Sequence, residues 1–123
     1  MSLNSYKDLK IWIKGIELVE LIYKVSNNFP RNEQYGLTGQ LRRSAVSVPS
    51  NIAEGWGRGY NANFLQFIKI ARGSLYEVET QLIIANKIQL INQEDFDLIQ
   101  NLIIIESKII NSFITTLKNK ITK

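Results

Sequence analysis

The stretch of this chain with the most chemical potential is SAVSVPSNIAEGWGRG, residues 44–59, which combines serines, a glutamate, an arginine and alternating glycines. Glycines at such spacing cradle a phosphate when they follow a strand and open a helix, because backbone N–H groups then point at the anion. Here the preceding segment has helical periodicity, and the lysine of a phosphate-binding loop is missing. The pattern therefore favours a helix end and a tight turn from Gly55 through Gly57 to Gly59.

The serines of this stretch lack the partners that nucleophilic catalysis requires. The chain has no histidine and no cysteine, and it contains no G-x-S-x-G motif, so a Ser–Lys pair is the one arrangement left open and no spacing supports it. Glu77 and Glu79 are two apart on a helix and diverge, whereas Glu94, Asp95 and Asp97 occupy a first helical turn, where the dipole favours anions. We expect no catalytic residues, no metal site, no cofactor and no enzymatic activity.

Basic side chains are the remaining candidates for a binding site. Arg42 and Arg43 are predicted on the outward side of the second helix, Arg58 in the glycine turn, and Lys69 with Arg72 on one outer face of the third helix. The formal net charge is +4, a mild excess that permits nucleic-acid binding without requiring it. These five residues are the candidate nucleic-acid-binding set, and the alternative is that they are ordinary solvated charges.

Four amphipathic helices must position these residues, and they are predicted at about 6–29, 33–54, 62–88 and 93–118, with Asn92 as the N-cap of the last. Apolar residues repeat every three or four positions in each, and the third helix has the cleanest heptad seam, formed by Phe64, Ile68, Ala71, Leu75, Val78, Leu82 and Ala85. Short connections predict antiparallel neighbours. The fold class is therefore an all-α, antiparallel four-helix bundle comprising a single domain, residues 1–123.

Pro49 interrupts the second helix without interrupting its apolar stripe. A proline there removes one N–H and pushes on the carbonyl four residues earlier, so we predict one helix kinked at Pro49. Asn51 and the nearby serines are short polar residues able to bond backbone groups that the kink frees. Pro49, Asn51, Glu54, Gly55 and Gly57 are together predicted to shape the helix end and turn.

The N-terminus has no apolar stretch of the signal-peptide type. The charge-free apolar runs are much shorter than the ~18 residues of a membrane span. We expect a cytoplasmic protein without a membrane partner. The first and fourth helices carry more apolar surface than one core requires, which predicts self-association.

The segments LRRSAVSVPSNIAEGWGRG and FLQFIKIARGSLYEVETQLIIA closely resemble the 23S rRNA intervening-sequence protein family, and YKDLKIW and FPRNEQYGLTGQLRRS fit the same pattern. The resemblance covers Tyr6 to Leu117, with Trp56 and Gly59 in a turn that varies. It implies a bacterial four-helix bundle that assembles as a ring-like homo-oligomer, typically a pentamer, and no catalytic residues. Some members are encoded inside insertions in 23S rRNA genes, and a related bundle, the accessory protein of diversity-generating retroelements, is a basic pentamer that binds nucleic acid and a reverse transcriptase.

Two functional hypotheses follow from these observations. The first is a non-enzymatic homo-oligomer that binds RNA or DNA through a basic surface, mostly by phosphate contacts. The second is a protein-binding scaffold or accessory subunit that does not bind nucleic acid. Salt-dependent RNA binding distinguishes the two.

Overall fold

The computed structural model describes residues 4–59 and 61–122. Four helices form the fold: α1 (Lys10–Ser26), α2 (Leu37–Arg58), α3 (Asn61–Lys87) and α4 (Gln93–Ile121). Short 3-10 turns at Tyr6–Asp8 and Arg31–Glu33 precede α1 and α2, and the described ranges contain no strand. The prediction of an all-α fold with four helices is confirmed.

Two helix starts differ from the sequence-based bounds because 3-10 turns replace the first predicted helical turns. Ser5 caps the turn before α1, its Oγ accepting from the N–H of Lys7 at 3.1 Å, and α1 itself begins at Lys10. The second helix begins at Leu37 rather than near residue 33. Asn92 caps α4 as predicted, its Oδ1 accepting from the N–H of Asp95 at 2.8 Å.

The glycine turn lies later in the chain than the sequence suggested. Gly55 and Gly57 belong to α2, and the helix ends only at Gly59, whose φ of 83° is left-handed. A Cβ at position 55 would stand 2.7 Å from Cβ of Phe67 and 2.9 Å from Cδ1 of Phe64. The prediction of a turn from Gly55 was therefore wrong, because this glycine serves close approach of α2 to α3 rather than helix termination.

The core is formed by apolar side chains from all four helices. Every residue of the predicted α3 seam is buried, which confirms that heptad: Phe64, Ile68, Ala71, Leu75, Val78, Leu82 and Ala85. Gly55, late in α2, lies against the early α3 residues Phe64 and Phe67. Ser47, earlier in α2, shares a 2.8 Å hydrogen bond with Ser74, further along α3. The α2 and α3 helices thus meet along their lengths, and the buried side chains of all four helices form one core.

Pro49 lies inside α2 and is buried where α2 packs on α1. A Cβ at position 15 of α1 would stand 3.3 Å from Cβ of Pro49, so the absence of a side chain at Gly15 leaves room for the proline ring. Asn51, in the next turn of α2, donates from Nδ2 to the carbonyl oxygen of Ser47 at 2.8 Å. The carbonyl that accepts this bond is that of Ser47, whereas the carbonyl deprived of its N–H donor by Pro49 is that of Ala45, so the predicted role of Asn51 beside the proline stays a prediction.

The α4 helix is long and apolar enough to cross a membrane by length and composition alone. The core helix of a water-soluble bundle passes the same test, and α4 has core residues along its length, among them Ile99, Ile110 and Leu117. The feature is therefore a weak indication of a membrane span.

Candidate nucleic-acid interface

Arg42 is hydrogen-bonded across the seam between α1 and α2. Its Nε donates to Oγ of Ser26 at 2.8 Å, and its Nη2 donates to Oδ1 of Asn27 at 3.0 Å. The guanidinium also lies 4.5 Å from the centroid of the Tyr23 ring. All three partners are neutral, so they orient this guanidinium without neutralising its positive charge, as a carboxylate would.

Arg72 has a similar arrangement at the seam between α3 and α4. Its Nη1 donates to Oδ1 of Asn111 at 3.0 Å, again a neutral partner. Lys69 lies one turn earlier on the same helix and is half-buried. The predicted common face of Lys69 and Arg72 therefore lies beside α4.

Arg58 and Arg43 both lie on the side where α2 meets α3. Arg58 forms a 2.8 Å ion pair with Glu54, in which both side chains are half exposed, and its guanidinium lies 5.1 Å from the Phe67 centroid. An exposed pair of this kind stabilises the helix by only about 0.3–0.5 kcal/mol. Arg43 is exposed and lines a groove of about 290 Å³ that also includes Glu77.

The five candidate residues thus lie at three different junctions, between α1 and α2, between α2 and α3, and between α3 and α4. They do not form a single cluster within one chain. Within residues 4–59 and 61–122, Arg58 is the one member of the set with a carboxylate oxygen within 4.0 Å. The other four positive charges have no such partner in the described structure. A continuous basic surface would have to be formed by several copies of the chain.

The residues predicted to shape the turn all belong to the second half of α2. Pro49 and Gly55 are buried packing positions, against α1 and α3 respectively. Asn51 bonds within its own helix, and Glu54 pairs with Arg58. Apart from its own helix turn, no described residue lies within 4 Å of a Cβ built at Gly57. Their observed contacts are structural.

An aromatic pocket, which the sequence analysis did not find, opens where α2 turns into α3. Its volume is about 430 Å³, and its lining consists of Leu9, Gly55, Trp56, Gly59, Asn61, Phe64, Phe113, Leu117 and Lys120. Trp56 and Phe64 meet at right angles with centroids 6.0 Å apart, and Phe64 and Phe113 meet at 5.4 Å. The aromatic residues around the glycine turn were a signal in the sequence, but their junction with Phe113 joins distant segments.

Glu106 is the second feature that the sequence analysis missed. It is completely buried in the core, and among the described residues neither of its carboxyl oxygens has a hydrogen-bond partner. A Cβ at Gly15 would stand 3.4 Å from its Oε2, so the carboxyl faces α1 near Pro49. Burial raises the pKa of Glu106 to about 8, while Lys14 opposes the rise and Glu17 adds to it. The 3–4 spacing of Ile99, Ile103, Glu106 and Ile110 could have indicated this core position.

Across the described ranges, no group of three or more acidic side chains is placed to hold a metal ion. The chemistry that this bundle presents at its surface is cationic and aromatic, from Arg42, Arg72 and the pocket beside Trp56. The fold and these features define a small four-helix-bundle protein with candidate binding surfaces.

Comparison with known proteins gives the family. Residues 7–112 match the family described as 23S rRNA-intervening sequence protein, and the chain belongs to it. It is similar to a crystal structure, at 1.70 Å resolution, of a protein of unknown function from the S23 ribosomal protein family of Bacteroides thetaiotaomicron. The TM-score is 0.77 with 23% identity, over 85% of this chain and 95% of that chain, a likeness that shows the fold. No curated protein matches this chain.

Proposed function

We propose that this protein is a non-enzymatic, cytoplasmic homo-oligomer of antiparallel four-helix bundles that binds nucleic acid, foremost RNA, through phosphate contacts. The observation that carries the proposal is the state of Arg42 and Arg72. Each guanidinium is held by neutral partners from another helix, Ser26 and Asn27 in one case and Asn111 in the other. These hydrogen bonds orient both groups before binding, so less side-chain entropy is lost when a phosphate is bound.

Family membership supports the same proposal, since the family takes its name from the intervening sequence of 23S rRNA. We infer that the accessory protein of diversity-generating retroelements, a basic pentamer that binds nucleic acid, is a related bundle, and this relation would support the proposal as well. Phosphate contacts by Arg42, Arg43, Arg58, Lys69 and Arg72 would carry little base specificity.

Self-association would combine basic residues that a single chain keeps apart. On α4, Leu98 is 53% exposed and Ile105 is 45% exposed, and the half-buried Leu102 and Ile109 lie between and after them at 4–3–4 spacing. Such a stripe beside the core stripe is typical of a helix that packs on a second surface. Five chains of net charge +4 would carry a formal charge of +20.

The proposal is tested by measuring RNA affinity and oligomer mass on the same preparations. The probe is a fluorescently labelled single-stranded RNA, titrated by anisotropy from ~50 to ~300 mM salt. The wild type should bind with a log–log salt slope of about −0.7 per phosphate contact. Light scattering coupled to size exclusion should give a mass several times 14.1 kDa, five times for a pentamer.

The decisive variant is R42A/R43A/R72A, which should lower affinity and reduce the steepness of the slope by about 2 for three lost contacts. The matched control, K24A/K87A/K108A, removes the same charge from three exposed lysines on α1, α3 and α4. It should bind more tightly than the arginine variant, and both variants should keep the wild-type mass. Equal losses in the two variants would show that total charge, not the arginine positions, controls binding. No binding at ~50 mM salt would contradict the proposal and favour the scaffold hypothesis.

A further inference from the structure

The pocket where α2 turns into α3 has the size and lining of a small-molecule site. Its volume is about 430 Å³, within the roughly 300–1,000 Å³ of such pockets in general. The three segments that line it come from the start of the chain at Leu9, from the α2–α3 connection around Trp56, and from the end of α4 around Leu117. The pocket therefore lies at one end of the bundle and is accessible from outside.

The wall of this pocket is aromatic, and its edge is polar. Trp56, Phe64 and Phe113 form a chain of edge-to-face contacts, and Trp56 and Phe113 are both half-buried, so part of each ring is open to solvent. Asn61, exposed at the start of α3, offers an amide that both donates and accepts hydrogen bonds. This combination suits a flat aromatic ligand with a polar edge better than an aliphatic one.

The end of the bundle that contains the pocket is also basic. This end is formed by segments 4–10, 54–59, 61–62 and 113–122. They contain two acidic residues, Asp8 and Glu54, and five basic residues: Lys7, Lys10, Arg58, Lys118 and Lys120. The opposite end comprises segments 24–36 and 87–97. It contains three basic residues, Lys24, Arg31 and Lys87, and four acidic ones: Glu33, Glu94, Asp95 and Asp97. An aromatic ligand carrying negative charge is therefore favoured at the pocket end.

We propose that this pocket accepts one unstacked base of single-stranded nucleic acid, with the aromatic wall against the base and Lys120 beside the adjoining phosphate. A nucleotide unites the features that the pocket matches: a flat aromatic ring, a hydrogen-bonding edge and an attached anion. Proteins that bind single strands combine aromatic surfaces with a basic track in this way. The inference rests on the proposed nucleic-acid function and specifies its ligand as single-stranded rather than duplex.

The test compares a single-stranded RNA with a duplex of the same length, using wild type and Trp56→Leu. Trp56→Leu keeps an apolar side chain but removes the aromatic face. Single-strand affinity should fall about tenfold, as expected for the loss of one stacked base, whereas duplex affinity and the salt slope should not change. Trp56→Phe should recover much of the loss, because it restores an aromatic ring. Circular dichroism and light scattering confirm that fold and oligomer mass are retained.

A second measurement needs no variant that might fold poorly. Single-stranded RNA containing 5-iodouracil is irradiated with the wild-type protein, and the crosslinked residues are identified by mass spectrometry. Crosslinks at Trp56 or Phe113 are expected. Crosslinks confined to other residues, or a Trp56→Leu variant with unchanged single-strand affinity, would overturn the inference while leaving the proposed function intact. A changed oligomer mass in that variant with no crosslink in the pocket would show that a second copy covers it. If the wild type binds no RNA at all, that result would instead contradict the proposed nucleic-acid function itself.

Discussion

Replacing Glu106 with glutamine should remove a pH dependence from the stability of the bundle. In the native fold the carboxyl is completely buried, no residue that the structure describes hydrogen-bonds to it, and its pKa rises from 4.5 to about 8. Each pKa unit corresponds to about 1.4 kcal/mol, so the full difference between acidic and alkaline conditions is about 5 kcal/mol. That is a large part of the 5–15 kcal/mol by which ordinary domains are stable.

The direction follows from proton binding in the two states. Between pH 4.5 and about 8 the folded protein keeps the Glu106 proton while the unfolded chain releases it. The free energy of unfolding therefore falls as the pH rises through this window, by about 1.4 kcal/mol per pH unit, and the contribution is constant on either side of it. Lys14 and Glu17, both on α1, are the charged groups that influence this carboxyl.

The assay is urea unfolding from pH 5 to pH 9 at constant protein concentration, because oligomer stability depends on concentration. The chain has no histidine or cysteine, so few other groups titrate in this window. The α-amino group also titrates in this window, but it contributes equally to both proteins. Its contribution therefore cancels in the difference between the free energies of unfolding of wild type and Glu106→Gln. As the pH rises from 5 to 9, the free energy of unfolding of Glu106→Gln should rise by about 4 kcal/mol relative to that of the wild type.

The matched control is Glu20→Gln, which removes an exposed carboxylate from α1 that is not among the groups influencing Glu106. It should retain the wild-type fall in stability. A wild type whose free energy of unfolding is flat from pH 5 to pH 9, or a Glu106→Gln variant with the same fall, would refute the assignment of a protonated buried carboxyl.

Two further predictions concern α2. Gly55→Ala should lower the free energy of unfolding by about 1–3 kcal/mol through overpacking against Phe67. Gly57→Ala should raise it by up to about 1 kcal/mol, because no described residue outside its helix turn lies within 4 Å of the new Cβ. Thermal melting of the two variants checks this, and equal effects would contradict the packing role of Gly55. Pro49→Ala should give equal or greater helicity by circular dichroism, since it restores a backbone N–H, together with an altered oligomer mass. Unchanged mass and unchanged crystal geometry would show that the proline has no part in assembly.

The helical pattern could be predicted from the sequence because it depends on local spacing. The heptad of α3 specifies one face of one helix, and its residues from Phe64 to Ala85 are buried as predicted. The cap at Asn92 also needs only neighbouring residues, its side chain and the N–H of Asp95. The family resemblance lay in the same continuous segments, and the match over residues 7–112 confirms it.

The tertiary structure decided what depends on contacts between helices. Glycine is common at helix ends, yet Gly55 lies inside α2, where the lack of a side chain leaves room for Phe67 of the next helix. Arg42 is a surface charge by sequence, but Ser26 and Asn27, 16 and 15 residues away, hold its guanidinium. Glu106 has the spacing of a core residue and the chemistry of a surface residue. Local periodicity specifies which side of a helix faces inward, while only the packed bundle determines which partner, if any, each polar group meets there.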